Sequence, residues 1–349
     1  MAENLLRNKI TESVGEEYID FSVNINPLGV PDTVKQQFAK IAEISGAYPD
    51  PDCRYLSSLL AQKYDITADK ILCGNGADDL LYRLVFAVKP KHAVVIEPTY
   101  EEYDRVLGLV GCEVLHYTLK AENSFTLSED VLSVLDENCD IAFLCNPNNP
   151  TGQLADTELM AKLIRHCHDK HILLVADECF MEFLPDWEKY SVKKIAAQSE
   201  NVIVIDAFTK TYSLAGFRLG FCVSGNAKLL DGMRSHGADF AVSVPAQLAG
   251  ISALSDEEYM QKTHEVISVE RDWLFGKLQS FPVKVYPSNA NFLLFKGNEN
   301  LRRKLYENGI KVRDCSHFYG LGNEYCRVAI RTHDDNEKLI KTLEKILLI

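Results

Sequence analysis

The sequence of 349 residues lacks the features of several protein classes. No apolar run approaches the ~20 residues that a membrane-spanning helix needs, and residues 1–21 contain no long apolar segment of the kind found in signal peptides. Basic residues are in the minority, with 37 Lys and Arg against 50 Asp and Glu, so the net charge is −13. A chain this acidic has no general attraction for nucleic acid or for an anionic membrane surface. We therefore expect neither as a partner.

Disulfide and zinc-ribbon frameworks are also not indicated, because none of the ten cysteines belongs to a C-x-x-C pair. Most of them, such as Cys145, Cys222 and Cys326, lie in apolar segments. Free thiols in such surroundings are typical of proteins in a reducing compartment. We therefore expect a cytoplasmic protein.

One cluster of histidines, in the segment "RHCHDKH", raises the question of a metal site. His166 and His168 are two residues apart and point to different faces of the helix that is predicted from about Asp156. Only His168 and His171 share a face. Histidines also suit the negative end of a helix dipole. We interpret the segment as a solvated helix end and predict no metal ligands.

The order of apolar segments predicts an α/β fold. Strand-like runs lie at 92–98, 113–119, 141–146, 172–178, 202–208 and 218–223, and helical patterns such as 156–170 separate most of them. Alternation of this kind is typical of a mainly parallel sheet covered by helices. After Val244 and Pro245 the pattern changes to a long helix, roughly 256–278, followed by short strands and helices that end with a helix from about Asp334. We predict three parts: an N-terminal segment (1–30) that contributes to the small domain and the substrate site, a large domain (31–245) and a small α+β domain (246–349).

Two ionisable residues at predicted strand ends are candidates for catalysis, because ligands of open α/β sheets collect beyond the carboxyl ends of the strands. Lys210 directly follows the strand-like run 202–208, where desolvation would lower its pKa and make the amine nucleophilic. A lone lysine in such a position is more often an exposed loop residue. Asp177 ends the apolar run "ILLVAD", where a carboxylate needs a cationic partner, although capping is its commoner role. Pyridoxal phosphate requires this pair, a lysine for the Schiff base and an acid beside the ring nitrogen.

The same cofactor carries a phosphate, and the sequence offers a place for it. In "CGNGADDLLYRLVF" (73–86), glycines open a helical pattern, so the backbone amides of Gly76, Ala77 and Asp78 would point at an anion. Arg218 would supply a second, charge-assisted clamp. A glycine-rich helix start alone is weak evidence for such a site.

Four segments in this order resemble the class I/II aminotransferase superfamily of fold-type-I pyridoxal-phosphate enzymes. They are "YPDPDCRYL" (48–56), "NPNNPTG" (146–152), "DECF" (177–180) and "TKTYSLAGFRLGF" (209–221). Their spacing agrees as well, with 28 residues from Asn149 to Asp177 and 33 from Asp177 to Lys210. The resemblance implies a large domain with a mainly parallel seven-stranded sheet between helices, and a smaller α+β domain.

The resemblance also implies roles for individual residues. Lys210 would be the Schiff-base lysine and proton shuttle, and Asp177 would pair with the ring nitrogen; these two form the catalytic set. Tyr100 would stack on the ring, Asn149 would bind the 3′-oxygen, and Tyr48 would reach the phosphate of the partner subunit's site, which implies a homodimer. The full cofactor-binding set is Tyr48, Gly76, Ala77, Asp78, Tyr100, Asn149, Asp177, Thr209, Lys210 and Arg218.

Within the turn "LCNPNNPTG", Asn149 is expected to face the cofactor, while Asn146 and Asn148 are expected to form the turn. The Asn149–Pro150 bond is a candidate for the cis isomer, which only X-Pro bonds adopt at modest cost. Two departures from the family concern hydrogen bonds. Phe180 stands where many relatives have Tyr, and Ala207 stands where many have Ser or Thr. Thr209 is near Ala207 but in a different register.

Two subfamilies share these features, the threonine-phosphate decarboxylases and the histidinol-phosphate aminotransferases. The stretches 20–31 and 312–339 look more like the decarboxylases. By that resemblance Asn24, Asn149, Arg313 and Arg327 would contact the substrate, and arginines suit a substrate with carboxylate and phosphate groups. Arg331 is either a third clamp or an exposed strand end. The early His-Gly-Gly segment of the decarboxylases is missing, since this chain has "RNKITESVGEEY" there.

Three functions remain open from the sequence. The first is decarboxylation of an O-phospho amino acid, as in the enzyme that makes the aminopropanol link of cobalamin. The second is amino transfer of the histidinol-phosphate or aromatic type. The third is a catalytically silent relative, against which the retention of Lys210, Asp177 and Asn149 argues. The choice between the first two depends on which bond at the substrate Cα breaks, and the sequence does not specify that bond.

Overall fold

The computed structural model describes residues 18–347. Its strands are β1 (Ile19–Asp20), β2 (Ile71–Gly74), β3 (His92–Glu97), β4 (Glu113–Thr118), β5 (Ile141–Cys145), β6 (Leu173–Asp177), β7 (Val202–Ala207), β8 (Gly220–Val223), β9 (Lys284–Val285), β10 (Phe292–Lys296), β11 (Ile310–Lys311), β12 (Arg313–Asp314) and β13 (Tyr325–Ala329). Its α-helices are α1 (Asp32–Lys35), α2 (Phe38–Ile44), α3 (Arg54–Tyr64), α4 (Gly76–Val88), α5 (Glu102–Leu109), α6 (Thr157–Asp169), α7 (Lys193–Ala196), α8 (Phe208–Thr211), α9 (Ala227–Ser235), α10 (Val244–Leu254), α11 (Glu257–Leu278), α12 (Leu301–Glu307) and α13 (His333–Leu347). Short 3₁₀ helices lie at Ala68–Lys70, Ala121–Asn123, Glu129–Val134, Met181–Phe183, Trp187–Lys189 and Ala215–Phe217.

A seven-stranded sheet forms the larger part of the fold, in the order β2-β8-β7-β6-β5-β3-β4. Only β8 runs antiparallel to its neighbours; the other strands are mutually parallel. The central strands β5 and β7 are buried along their whole length, because their continuous apolar runs are covered on both faces. The predicted α/β class with a mainly parallel sheet is confirmed. Strand β2 was not predicted, because its last two residues begin the glycine-rich segment 73–86, which was interpreted as the start of a helix.

A second, antiparallel sheet has the order β12-β13-β10-β9, and β1 pairs in parallel with β11. The long helix α11 and the last helix α13 pack beside it, and Ile267, Leu274, Leu339 and Leu343 join its apolar core. The change of pattern noted at Val244 and Pro245 coincides with the start of α10. The domain limits at residues 30 and 245 stay predictions. Within residues 18–347 no helix is long and apolar enough to cross a membrane.

Both sheets direct polar residues toward one region. Strands β5, β6 and β7 end side by side at Cys145, Asp177 and Ala207, and α8 with Lys210 follows β7 without a gap. The short pair β12–β13 of the second sheet brings Arg313 and Arg327 to the same region. The fold thereby assembles one site from residues that are distant in sequence.

Candidate active site

A cavity of about 260 Å³ lies at the carboxyl ends of β5, β6 and β7. Most of the predicted site residues line it, together with Ser22, Val23, Cys179, Phe180 and Phe318. The predicted residues in its wall are Asn24, Ala77, Asp78, Tyr100, Asn149, Asp177, Thr209, Lys210, Arg218, Arg313 and Arg327. Gly76 lies directly before Ala77 at the start of α4. Tyr48 and Arg331 do not line the cavity.

Lys210 carries the free amine of this cavity. Its Nζ has no hydrogen bond or ion pair with any of residues 18–347. Burial lowers the pKa of this amine, and the positive charge of Arg327 lowers it further. A lysine held in this way loses its proton more readily than an exposed one, so it can act as a nucleophile.

Asp177 is the last residue of β6 and is only 6 % exposed. Its carboxylate accepts hydrogen bonds from the Tyr103 hydroxyl (2.6 Å) and from the Cys179 amide (3.0 Å). Among the described residues it has no cationic partner, although its burial raises its pKa and makes the charge costly. The cation that the sequence analysis required must therefore come from a ligand. Tyr103 was not predicted as a site residue, although it lies three residues after Tyr100, which was.

The start of helix α4 has the geometry of an anion site. Gly76 has a φ of +85°, and a Cβ at this position would lie 2.7 Å from Nη2 of Arg218. A Cβ on Gly220 would lie 2.7 Å from the carbonyl carbon of Gly76. Small residues at both positions thus allow the guanidinium and the helix start to approach each other. Asp78 accepts hydrogen bonds from the Tyr100 hydroxyl (3.1 Å) and from Arg218 (3.4 Å), which hold both side chains at the cavity.

The turn after β5 uses its three asparagines in two ways. Asn146 Oδ1 accepts the amide of Ala155 (2.8 Å), and Asn148 donates to the carbonyl oxygen of Pro98 and to the Thr151 hydroxyl (both 2.9 Å). These two are turn formers, as predicted. Asn149 instead lines the cavity, where its Oδ1 accepts a hydrogen bond from Nη1 of Arg327. The Asn149–Pro150 bond is cis, as are Asn146–Pro147 and Glu97–Pro98.

The two departures from the family pattern have local explanations. The ring of Phe180 packs edge-on against Phe292 with centroids 5.1 Å apart, so it belongs to the apolar core around β10. Ala207 ends β7 and offers no hydroxyl to the cavity. Thr209 does line the cavity, and its hydroxyl has no hydrogen bond to residues 18–347. Thr209 is therefore a candidate for the missing donor.

The other side of the cavity carries two arginines and an asparagine with unused polar atoms. Arg327 donates from Nη2 to the carbonyl oxygen of Ser22 (2.9 Å), and burial lowers its pKa to about 10. Arg313 contacts Glu101 at 3.5 Å. Within the described part of the chain, the Nε atoms of both arginines are buried without hydrogen-bond partners, and so are Oδ1 and Nδ2 of Asn24. Buried polar groups are normally hydrogen-bonded, so these atoms indicate the binding of an anionic, polar ligand.

Two candidates lie elsewhere. Arg331 is ion-paired with Asp335 (3.0 Å) and donates to the carbonyl oxygen of Asp20 (3.0 Å), and it does not line the cavity, so these contacts give the third-clamp interpretation no support. Tyr48 is 83 % exposed, with its ring 4.8 Å from that of Phe240. Its predicted role in a partner's site stays a prediction. Most of the segment that lacks His-Gly-Gly lies outside the described residues.

Comparisons with known proteins agree with this geometry. Residues 16–343 match the family model described as aminotransferase class I and II. A threonine-phosphate decarboxylase of Salmonella typhimurium is 33 % identical over 338 residues, which cover 95 % of this chain and 92 % of the relative. A histidinol-phosphate aminotransferase of Methanosphaera stadtmanae is 30 % identical over 354 residues, covering 98 % and 94 %. The crystal structure of the histidinol-phosphate aminotransferase from Clostridium acetobutylicum superposes with a TM-score of 0.88 and 25 % identity, covering 94 % of this chain and 98 % of that chain.

Proposed function

The chain belongs to the aminotransferase class I and II family and is therefore a pyridoxal-phosphate-dependent enzyme, and within this family we propose that it removes CO₂ from a small phosphorylated amino acid, in the manner of a threonine-phosphate decarboxylase. The family, the fold and the cofactor confirm the resemblance seen in the sequence. The substrate and the bond that breaks are the proposal.

The described residues fit the cofactor. Asp177 is a buried carboxylate without a cation, and Lys210 is a buried amine without a partner. Lys210 would hold the aldehyde carbon and Asp177 the protonated ring nitrogen. The amides at 76–78 would hold the phosphate together with Arg218, Asn149 would bind the 3′-oxygen and Tyr100 would cover the ring. When bound, pyridoxal phosphate supplies an electron-accepting ring joined to the substrate amino group.

The pair Arg313 and Arg327 carries the substrate proposal. The two arginines lie opposite each other on β12 and β13, and both face the cavity with an unpartnered Nε. Guanidinium groups bind carboxylates and phosphates through paired hydrogen bonds. A substrate with both groups would satisfy both arginines, whereas histidinol phosphate brings only one anionic group. Asn24, with its two unused amide atoms, would complete the contacts to such a substrate.

The protein's own residues would direct the reaction. Two clamps on adjacent strands would fix the carboxylate and the phosphate together, and thereby the rotation about the substrate Cα. Lys210 in its protonated form would donate a proton to Cα after CO₂ has left, and its lowered pKa makes this donation easier. For amino transfer, the same amine would instead remove the proton from Cα. The histidinol-phosphate aminotransferase relative, similar over 98 % of this chain, makes amino transfer the second candidate.

A comparison of substrates tests the proposal. The purified holoenzyme is offered phosphothreonine, threonine, or histidinol phosphate with 2-oxoglutarate, and consumption of each is measured. We expect phosphothreonine to be consumed, threonine to react poorly because it leaves one arginine without an anion, and histidinol phosphate to be inert. Rapid formation of glutamate from histidinol phosphate and 2-oxoglutarate would support the second candidate instead.

We also propose that the enzyme is a cytoplasmic homodimer with shared active sites. All ten cysteines are free, and nine of them are buried, as suits a reducing compartment. Large apolar side chains are exposed on and near the segment that carries Tyr48: Phe38, Tyr48, Tyr55 and Phe240 are 47–83 % exposed. Exposed aromatic side chains are enriched at protein interfaces, and the rings of Tyr48 and Phe240 contact each other. A second copy of the chain would cover these side chains and receive Tyr48.

A further inference from the structure

We propose that Glu97, Asp104 and His116 form a binding site for a divalent transition metal, with Zn²⁺ as the best-suited ion. Glu97 ends β3, Asp104 lies on α5, and His116 lies on β4, the strand that pairs with β3. His116 Nδ1 is 3.5 Å from Oε1 of Glu97 and 3.8 Å from Oδ2 of Asp104. One ligand atom from each residue lies within 4.8 Å of the others.

These three groups converge at ion-pair distances, but no hydrogen bond joins His116 to either carboxylate. Nδ1 of His116 and Oδ1 of Asp104 are both buried, and neither has a hydrogen-bond partner among residues 18–347. Zn²⁺ binds such nitrogen and oxygen ligands at about 2.0–2.2 Å in a tetrahedral arrangement, which separates neighbouring ligand atoms by roughly 3.4 Å. The observed separations of 3.5 and 3.8 Å are close to that value. The spacing therefore suits coordination of one ion better than direct hydrogen bonds.

The charge of the cluster also calls for a cation. Glu97 is 2 % exposed, and neither it nor Asp104 is paired with a lysine or an arginine within residues 18–347. A divalent ion would neutralise both carboxylates.

The surroundings of the cluster support ligand binding. The second oxygen of Glu97 accepts the amide of Thr99 at 2.5 Å, which orients the carboxylate as outer hydrogen bonds do in metal sites. The His116 side chain is 22 % exposed, so an ion can enter from solvent. A set of one imidazole and two carboxylates favours Zn²⁺ or Mn²⁺ over Mg²⁺. Three protein ligands leave a fourth position for water.

The site would act on the substrate cavity through one aromatic contact. The His116 ring stacks on Tyr319 with centroids 4.2 Å apart and planes 9° from parallel. Tyr319 lies in the connection between β12 and β13, and its neighbour Phe318 lines the cavity beside Arg313. An ion that fixes the His116 ring would therefore hold this connection against β4. Glu97, Asp104 and His116 lie outside the cofactor and substrate contacts, so metal binding there does not depend on the proposed reaction.

Metal titration of the holoenzyme tests the site. After treatment with a chelator and gel filtration, Zn²⁺ is added, and bound metal is measured by calorimetry and elemental analysis. We expect about one Zn²⁺ per chain, a rise in the thermal midpoint on binding, and the loss of both in His116→Ala and in Asp104→Asn. His168→Ala is the matched control, since His168 is an exposed histidine outside the cluster, and it is expected to bind like the wild type.

The outcomes separate clearly. Absence of stoichiometric binding to the wild type overturns the site, and so does binding that survives in both cluster variants. Loss of binding in His168→Ala would assign the metal to the histidines of α6 instead. If His116→Ala does not fold, Asp104→Asn decides alone, because Asp104 is a half-exposed helix residue whose amide analogue keeps its shape.

Discussion

Arg313 and Arg327 are directly opposite each other in the antiparallel pair β12–β13. Like charges in this position destabilise a strand pair, and the only carboxylate that either arginine contacts within residues 18–347 is Glu101, 3.5 Å from Arg313. The positive charges of the two arginines therefore repel each other, and an anionic ligand would reduce this repulsion. This relationship underlies the proposed substrate and the first prediction.

Arg313→Ala is expected to weaken substrate binding without affecting the cofactor. Among residues 18–347, the Arg313 guanidinium contacts Glu101 and the ring of Phe318, so its loss removes one anion clamp and little else. A hydrogen bond to a charged group contributes about 1.5–3 kcal/mol, so KM should rise roughly 10- to 100-fold. Cofactor affinity, measured by absorbance titration, should stay unchanged. Arg331→Ala is the matched control, since Arg331 lies outside the cavity. Equal losses of substrate and cofactor affinity would show that Arg313 is wrongly placed.

Lys210→Ala is expected to abolish the Schiff-base absorbance that appears when pyridoxal phosphate is added to the wild type. The exposed Lys162→Ala serves as control and should retain the absorbance. Because burial lowers the pKa of Lys210, the amine should attach to the cofactor at pH values below 10.5, the ordinary pKa of lysine. Arg327→Ala should shift that dependence to higher pH, since it removes a neighbouring positive charge. Retained absorbance in Lys210→Ala would assign the attachment to a different residue.

Asp177→Asn is expected to stabilise the protein without cofactor and to weaken cofactor binding. The pKa of Asp177 is raised in the folded state, so its contribution to stability is greatest at low pH and is lost as the pH rises from about 3.8 through the folded pKa. The free energy of unfolding that Asp177→Asn gains over the wild type should therefore increase with pH. Urea unfolding of the cofactor-free protein at several pH values measures it. A variant that is less stable than the wild type at neutral pH would contradict the view that the charge of Asp177 is uncompensated in the cofactor-free protein.

Lys193→Met is expected to destabilise the fold strongly, whereas Lys194→Met is not. Lys193 is buried, and its Nζ is 2.8 Å from both Glu178 and Asp206. Removing it leaves two buried carboxylates without a cation, at a cost of about 3–5 kcal/mol. Lys194 pairs with Asp65 on the surface, where such pairs contribute little.

The pH dependence of that loss checks its cause. Burial already raises the pKa of Asp206 to about 7, and without Lys193 it rises further. A carboxylate with a raised folded pKa loses stability as the pH increases. The difference in unfolding free energy between Lys193→Met and the wild type should thus be larger at pH 8.5 than at pH 5.5. A difference independent of pH would indicate lost packing instead of unpaired charge.

Mixed dimers test the proposed contribution of Tyr48 to the partner's site. Chains with Lys210→Ala are combined with chains that carry Tyr48→Ala, using two affinity tags to isolate the mixed species. If sites are shared, one site of each mixed dimer has both Lys210 and Tyr48, and activity should exceed that of either parent. No gain in activity, or a monomer in sedimentation, would contradict the shared site.

The sequence predicted the sheet well because continuous apolar runs such as 141–145 and 202–207 leave few alternatives for covered strands. It also placed most of the cavity's residues, since Asp177 and Lys210 follow directly from strand ends. It did not reveal that Asn149 is bonded to Arg327 or that Asp177 is bonded to Tyr103, because these contacts join elements whose relative placement depends on packing. The cluster of Glu97, Asp104 and His116 was likewise hidden, since no local spacing connects its members.

The release of labelled CO₂ tests directly whether the enzyme decarboxylates its substrate. The holoenzyme is incubated with carboxyl-labelled phosphothreonine, with and without 2-oxoglutarate, and both CO₂ and glutamate are quantified. We expect about one CO₂ to be released for each substrate molecule consumed, whether or not 2-oxoglutarate is present, because a decarboxylation leaves the cofactor unchanged. Glutamate that forms in proportion to the substrate consumed, without release of CO₂, would contradict this expectation.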